Sequence, residues 1–159
     1  MKKIIWPVWK TVRIGVPGLS NREDFLREFV EKNSCHDKCF EQLIATMDIC
    51  YQGEEDINLA LVSVAELGFL TESTKRGDAL LRLESLGLGK LPAVAGFCLR
   101  AQYDNQPEEE KFHMAMNPIV LPKIGSVGLF LFGKQITGDN ADHTNSLPLD
   151  CKFVCRIID

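Results

Sequence analysis

The chain lacks the short motifs that identify several common enzyme classes. It has no Gly-x-Ser-x-Gly elbow, no His-Glu-x-x-His pair and no Cys-x-x-Cys motif. Gly87-Leu88-Gly89 follows a predicted helix instead of linking a strand to one, so it does not form a phosphate-binding loop. The sequence therefore excludes nucleotide-loop enzymes, elbow-type hydrolases, zinc proteases of the two-histidine type and thioredoxin-like redox proteins.

Long apolar runs and an excess of basic residues are also missing. No apolar run approaches the roughly 18 residues of a membrane-spanning helix. Lys and Arg number 18 against 22 Asp and Glu, for a net charge of -4. Because non-specific nucleic-acid binding requires clustered Lys and Arg, we do not expect a nucleic-acid partner. The basic start of the chain, which has no acid before Glu23, is interpreted as a solvated end.

The first six residues resemble the start of a signal peptide. Pro7, Lys10 and Arg13 make the apolar part too short for a signal core. We therefore expect a cytoplasmic protein, or one exported by a route that needs no cleaved signal. A chain of 159 residues with average hydrophobic and charged content predicts a single domain over 1–159.

Hydrophobic periodicity predicts an α+β fold with a mixed sheet of about five strands and about four helices packed mainly on one face. The sheet is expected to be antiparallel where loops join the later strands. Ser20 and Glu23 predict a helix-capping box. The predicted strands are residues 9–16, 57–65, 112–116, 127–132 and 151–157, the predicted helices start near 20, 34, 73 and 92, and 138–148 is a polar loop.

The six cysteines do not indicate a disulfide scaffold in a chain of this length. Cys35 and Cys39 are one helical turn apart and, with His36, are the candidate metal ligands, but a closed zinc site needs further ligands. Cys151 and Cys155 cannot complete it, since residues four apart on a strand lie roughly 13 Å apart. We expect no metal and no other cofactor, and interpret the remaining cysteines, including Cys98, as core residues.

Glu66 is the most informative acidic residue. It follows a fully apolar strand, and ligands gather at the carboxyl ends of such strands in sheets with helical crossovers. The candidate ligand-binding residues near it are Arg100, Gln102, Tyr103 and Gln106. Arg and Tyr can hold carboxylate or phosphate oxygens, but a structural Glu-Arg pair covered by Tyr is the alternative. His113, on the polar face of its strand, is a candidate base or a surface histidine.

Two strings in this sequence are similar to a family of small uncharacterised bacterial proteins, some loosely labelled helicases. They are Trp9-Lys10-Thr11 with Gly15, and Val62-Ser63-Val64-Ala65-Glu66-Leu67-Gly68-Phe69. Weaker similarity continues through the middle of the chain. The chain departs from the family pattern at Val94 and Asn117, where relatives carry Glu. The resemblance implies a bacterial origin but no established activity, and this chain lacks the phosphate loop of a helicase.

Two functions are open at this point. The first is a non-enzymatic binding or interaction domain with an unknown protein or small-molecule partner, because the core pattern is intact and no catalytic set is recognisable. The alternative is a small hydrolase or transferase in which Glu66 is the acid or base, Arg100 steadies an anion and His113 assists.

Overall fold

The computed structural model describes residues 4–31, 38–46 and 53–158. The helices are α1 (Arg22–Phe25, continued by a π-helical segment, Leu26–Glu31), α2 (Lys38–Thr46), α3 (Arg76–Ser85) and α4 (Ala93–Gln102). The strands are β1 (Lys10–Ile14), β2 (Glu55–Ser63), β3 (Thr74–Lys75), β4 (Leu88–Gly89), β5 (Lys111–Met114), β6 (Ile119–Leu121), β7 (Gly125–Phe132), β8 (Gln135–Asn140), β9 (Ser146–Leu147) and β10 (Lys152–Ile157).

Eight strands form one mixed sheet in the order β1-β2-β10-β5-β7-β6, with β4 beside β10 and β8 beside β7. The mixed α and β composition and the four helices agree with the sequence prediction, whereas the number of strands is larger than the five predicted. The five predicted strands are confirmed as β1, β2, β5, β7 and β10. The small ribbon of β3 and β9 stands apart from the main sheet.

One pairing differs from the predicted antiparallel arrangement. β10 runs parallel to β5, with Phe153 opposite His113 and Val154 opposite Met114. The chain returns through β6 to β9 before β10 enters the sheet between β2 and β5, so β10 is not the hairpin partner of the strand before it. The prediction that the later strands follow one another as antiparallel hairpins is therefore wrong for β10.

The sheet is covered on both faces, as the apolar pattern of β2 predicts. Ile57 and Leu59 belong to a core with α1, α2 and α4, and this side is called the front face. Ala60 and Val62 belong to a second core with α3, and this side is called the back face. Most helices lie on the front face, and α3 alone of the described helices packs on the back. Neither α3 nor α4 exceeds ten residues, and no described helix is apolar and long enough to cross a bilayer.

Local capping and the polar loop differ from the sequence prediction. The first helix is capped by Asn21, whose side chain accepts the amide of Asp24, while the Asp24 carboxylate accepts the amide of Ser20. The capping box is therefore one residue further along the chain than Ser20 and Glu23.

Residues 138–148, predicted as a loop, contain the end of β8 and all of β9. β8 lies at the edge of the sheet and buries only Ile136. Its sequence therefore lacks the alternation of apolar residues from which a strand is predicted.

Gly15 and Gly18 give a matched test of the turn after β1. Both have positive φ, but a Cβ on Gly15 would overlap the carbonyl oxygen of Gly53, whereas Gly18 has open space around it. We expect Gly15→Ala to lower the free energy of unfolding by more than about 3 kcal/mol, and Gly18→Ala by only about 1 kcal/mol from its left-handed backbone. Urea unfolding measures both. Equal losses would contradict the close approach of Gly53.

Candidate functional site

The predicted metal ligands fall mostly outside the part of the chain that the structure describes. Cys35 and His36 lie there, and for Cys39, in α2, only the backbone is described. Among residues 4–31, 38–46 and 53–158, no group of three or more His, Cys, Asp or Glu side chains could hold a metal ion.

Glu66 lies in the turn after β2, as predicted, and is exposed. Its Oε2 accepts the backbone amide of Ser63 at 2.7 Å, and the Ser63 hydroxyl oxygen accepts the amide of Glu66 at 3.1 Å. β1 pairs with β2 only as far as Leu59, so the last residues of β2 have no neighbouring strand on the β1 side. The two hydrogen bonds between Ser63 and Glu66 cap this unpaired end of β2. Glu66 also borders a hollow of about 340 Å³ with Trp6 and Trp9.

Arg100 is buried instead of facing the surface on which the sequence analysis placed it. Its Nη1 donates to Gln106 Oε1 at 2.5 Å and to the carbonyl oxygen of Gly133, and its Nη2 donates to the carbonyl oxygen of Tyr103. The guanidinium thus satisfies carbonyl groups at the end of α4 and in the β7–β8 turn, which would otherwise be buried without donors. Burial lowers the pKa of Arg100.

The other three candidate ligand-binding residues also make internal contacts. The Oε1 atom of Gln102 accepts the backbone amide of Arg13 at 3.0 Å, and its Nε2 atom donates to the Arg13 carbonyl oxygen at 2.6 Å. The Gln102 side chain therefore covers the outer edge of β1. Tyr103 packs edge-on against Trp9 with ring centroids 5.6 Å apart. Gln106 is buried and donates to the carbonyl oxygen of Glu110. These side chains join the end of α4 to β1 and to the β7–β8 turn.

The described contacts do not bring Glu66 and Arg100 together. No described hydrogen bond or ion pair connects them, and the hollow beside Glu66 is bordered by Trp6, Pro7, Trp9, Ala60 and Leu61 but not by Arg100. The ligand-binding role of Arg100 and its neighbours, and the catalytic role of Glu66, stay predictions.

His113, by contrast, lies at the centre of a polar cluster on the back face. Its Nδ1 is 2.7 Å from Oδ2 of Asp139 on β8. Its ring packs against Phe130, with centroids 4.8 Å apart, and against Phe153, with centroids 5.7 Å apart. The side chain is only 18% exposed, so its orientation is fixed by a carboxylate and two aromatic rings.

Arg76, at the start of α3, is buried beneath this cluster. It is 1% exposed, and its guanidinium lies over the ring of Phe153 at 5.3 Å. Its Nη2 donates to the carbonyl oxygen of Met114 at 3.4 Å, and its Nε has no hydrogen-bond partner among the described residues. Gly128 makes this approach possible, because a Cβ there would lie 3.3 Å from the Arg76 Nη2 atom.

The pKa of Asp139 is lowered by this arrangement. Burial by itself would raise it, but the contact with His113, the amide of Asn140 and the charge of Arg76 together outweigh burial. Asp139 is therefore a carboxylate at neutral pH. His113 Nδ1 lies within ion-pair distance of it, although the contact does not have the geometry of a hydrogen bond.

A pocket of about 310 Å³ opens beside His113. Three strands of the sheet, β5, β7 and β8, form one wall, and the chain from Asn145 to Lys152 forms the other. It is lined by Lys111, His113, Phe130, Asp139, Asn145, Ser146, Leu147, Pro148, Asp150, Cys151 and Lys152. The lining thus combines the apolar surface of Phe130, Leu147 and Pro148 with a majority of polar and charged residues, so the pocket is more polar than most small-molecule sites.

The cysteine of the pocket is not activated. Burial raises the pKa of Cys151 to about 11, so its thiol stays protonated at neutral pH. Cys98 and Cys155 are fully buried, and burial raises the pKa of each to about 12. The prediction that Cys98 and Cys155 are core residues is confirmed.

Sequence reasoning found His113 but missed its partners. Asp139 was assigned to a polar loop, and Arg76 was assigned no role. A glycine inside the apolar strand at residue 128 was the available signal, because such a glycine often marks the close approach of another group.

No protein-family model, curated protein or solved structure matches this chain. The resemblance to small uncharacterised bacterial proteins accordingly stays a prediction, and the pocket has to be interpreted from its own chemistry.

Arg100→Lys tests the structural role of Arg100. A lysine cannot reach the three acceptors together, so we expect the variant to lose about 2–4 kcal/mol of unfolding free energy. Arg27→Lys is the matched control: Arg27 is half-exposed, and its ion pair with the buried Asp24 can also be made by a lysine, so the loss is expected to stay below about 1 kcal/mol. Urea unfolding at neutral pH compares them. A fully stable Arg100→Lys variant would show that the carbonyl contacts contribute little.

Asp139→Asn tests the electrostatic role of Asp139. Since its folded-state pKa lies below the ordinary value of 3.8, the carboxylate stabilises the fold above pH 3.8, and that contribution is lost as the pH falls through the folded pKa. We expect the variant to be about 1 kcal/mol less stable than the wild type at neutral pH, and we expect this difference to shrink progressively as the pH falls below 3.8 and through the folded-state pKa. Urea unfolding over a series of acidic pH values measures the difference. Asp150→Asn, at the exposed rim of the same pocket, is the control, and a pH-independent loss in Asp139→Asn would contradict this account.

Proposed function

We propose that this chain is a non-enzymatic binding domain whose ligand is a small molecule held in the pocket beside His113. The observation that carries the proposal is that this pocket of about 310 Å³ has the ordered His113, in contact with Asp139, in its wall. The hollow of about 340 Å³ beside Glu66 has no charged side chain other than Glu66, which already accepts the Ser63 amide. The proposal keeps the function expected from the sequence but moves the ligand site from Arg100 to the back face.

The rigidity of the pocket wall supports this proposal. His113 is held by Asp139, Phe130 and Phe153, and its strand β5 is paired on both sides, by β7 and β10. A pre-ordered wall reduces the entropy that binding must overcome. The opposite wall is also tied down, since the carbonyl oxygen of Asn145 accepts the amide of Arg76.

The state of Cys151 favours binding over covalent chemistry. A nucleophilic cysteine needs a lowered pKa, and burial raises that of Cys151 to about 11. The described contacts include no hydrogen bond that would activate this thiol. A protonated thiol in the pocket wall contributes apolar surface to a ligand.

The alternative is a small hydrolase or transferase. One observation favours it: a histidine oriented by a carboxylate at a pocket is the arrangement of a general base. The proposed anion-stabilising group, Arg100, already uses its Nη atoms on Gln106, Gly133 and Tyr103. The alternative therefore lacks a described electrophilic partner for His113.

The setting of this function is also a proposal. We infer a bacterial protein from the family resemblance, and we propose a cytoplasmic location, as expected from the sequence. A nucleic-acid partner is not expected at a net charge of -4, and a protein partner remains the alternative to a small molecule.

A fragment screen tests the proposal. ¹⁵N-labelled protein is titrated with a library that contains neutral, cationic and anionic fragments, and amide chemical shifts are followed. We expect hits to perturb the amides of Phe130, Leu147 and Lys152. Ser146→Phe places a ring at an exposed position of the pocket wall and should abolish these perturbations. Ser85→Phe, at an exposed serine of α3 outside the pocket lining, should preserve them.

The proposal is overturned by either of two results. In one, no fragment perturbs the pocket amides of the wild-type protein. In the other, the perturbations persist unchanged in Ser146→Phe, which would place binding elsewhere. Conversion of a fragment to product during the titration would favour the hydrolase or transferase.

A further inference from the structure

The hollow of about 340 Å³ beside Glu66 lies at an edge of β2 and is separate from the pocket beside His113. Its border is formed by Trp6, Pro7, Trp9, Ala60, Leu61 and Glu66. None of these residues borders the other pocket. Both tryptophans of the chain are therefore at this one place, Trp6 against the back core and Trp9 against the front core.

The hollow exists because β1 ends before β2 does. Lys10, the first residue of β1, pairs with Leu59, and the amide of Trp9 also donates to the Leu59 carbonyl oxygen at 2.8 Å. Two consecutive residues thus oppose one residue of β2, as in a β-bulge. The chain before Trp9 is not paired with β2, which continues to Ser63 without a strand on this side.

The peptide groups of Leu61 face this open side. Successive residues of a strand direct their N–H and C=O groups alternately to the two neighbouring strands. Leu59 directs its carbonyl toward β1, because it accepts the amide of Trp9, so Leu61, two residues further, points to the same side. No hydrogen bond within the described residues satisfies the N–H or the C=O of Leu61 there.

Glu66 supplies the only charged side chain at the border of the hollow. Its Oε2 accepts the Ser63 amide, and its Oε1 has no hydrogen-bond or ion-pair partner within the part of the chain that the structure describes. Lys10 does not border the hollow, and its ammonium lies closer to the ring centroid of Tyr103, at 3.9 Å, than to that of Trp9, at 5.2 Å. The field in the hollow therefore favours a cation.

We propose that this hollow binds a small organic ammonium ion with a short apolar chain. The ammonium donates to Glu66 Oε1 and to the Leu61 carbonyl oxygen, and the chain lies against Trp6 and Trp9. The indole rings add to the attraction, because an aromatic ring attracts a cation within about 6 Å of its centroid. This site goes beyond the proposed function, which concerns the other pocket.

The length of the open edge favours a small ligand over an added β-strand. The bulge at Trp9 closes one end of the opening, and the Glu66 carboxylate already holds the Ser63 amide at the other end. Only Leu61 is left with free peptide groups, whereas an added strand makes a ladder of main-chain hydrogen bonds. An anion is disfavoured because it would lie beside the Glu66 carboxylate.

Three compounds of similar size test the ligand class: n-butylammonium, n-butanol and butyrate. ¹⁵N-labelled protein is titrated with each at about 0.15 M salt, which screens charges more than about 8 Å away. Both tryptophans border the hollow, so the two indole N–H signals of the chain report binding there. We expect n-butylammonium to shift both signals and to bind about threefold to fivefold more tightly than n-butanol, as for an exposed charge pair. Butyrate should bind most weakly.

Glu66→Gln removes the charge and keeps an acceptor for the Ser63 amide, so n-butylammonium should lose its advantage over n-butanol in this variant. Glu72→Gln is the matched control. Glu72 is also exposed and also accepts a backbone amide, that of Leu149, but it does not border the hollow. The advantage of n-butylammonium should persist in Glu72→Gln.

Binding of n-butanol or butyrate as tight as that of n-butylammonium would overturn the cation assignment, and so would an equal loss in the two variants. Unmoved indole signals would overturn the site. If n-butylammonium instead shifts the amides of Phe130 and Leu147, this inference is wrong while the proposed function is supported, because the compound then binds beside His113.

Discussion

The pairing of β10 between β2 and β5 is the contact on which the rest of the structure depends. One side chain of β10, Val154, belongs to the front core, and its neighbours Phe153 and Cys155 belong to the back core. The same strand places Phe153 beneath both His113 and Arg76. Without β10, the strands β1 and β2 would have no hydrogen-bonded link to β5, β7 and β8. The two cores and the His113 pocket thus share one strand.

The strands that bury apolar residues were predictable from sequence because alternation or continuous apolarity reports burial directly. β2 and β7 are of this kind. β8 was not predictable: it lies at an edge, and Asp139 within it faces a histidine that is distant in sequence. The parallel pairing of β5 with β10 was equally hidden, because periodicity gives the side-chain face of a strand and not its neighbour.

Two buried arginines show why the site was harder to predict than the fold. Arg100 had the residue type of an anion-binding group, but it satisfies backbone carbonyls at a helix end. Arg76 was not singled out by any sequence pattern, and it lies under the pocket against Phe153 and Gly128. A guanidinium is suited to both roles, and only the three-dimensional neighbours of each decide between them. His113 was found because a histidine within an apolar strand is conspicuous, whereas its carboxylate partner was not.

The central position of β10 has a consequence for how the chain reaches this structure. Its contact with β2 joins residues that are 95 positions apart, as the proximity of the Cys155 thiol to the Ala60 carbonyl shows. Closing so long a loop costs chain entropy before any of the buried surface is gained. Proteins dominated by such distant pairings fold on the millisecond-to-second scale. Until β10 docks, the edges of β2 and β5 that it joins are unpaired, so this interval is when the chain is most exposed to self-association.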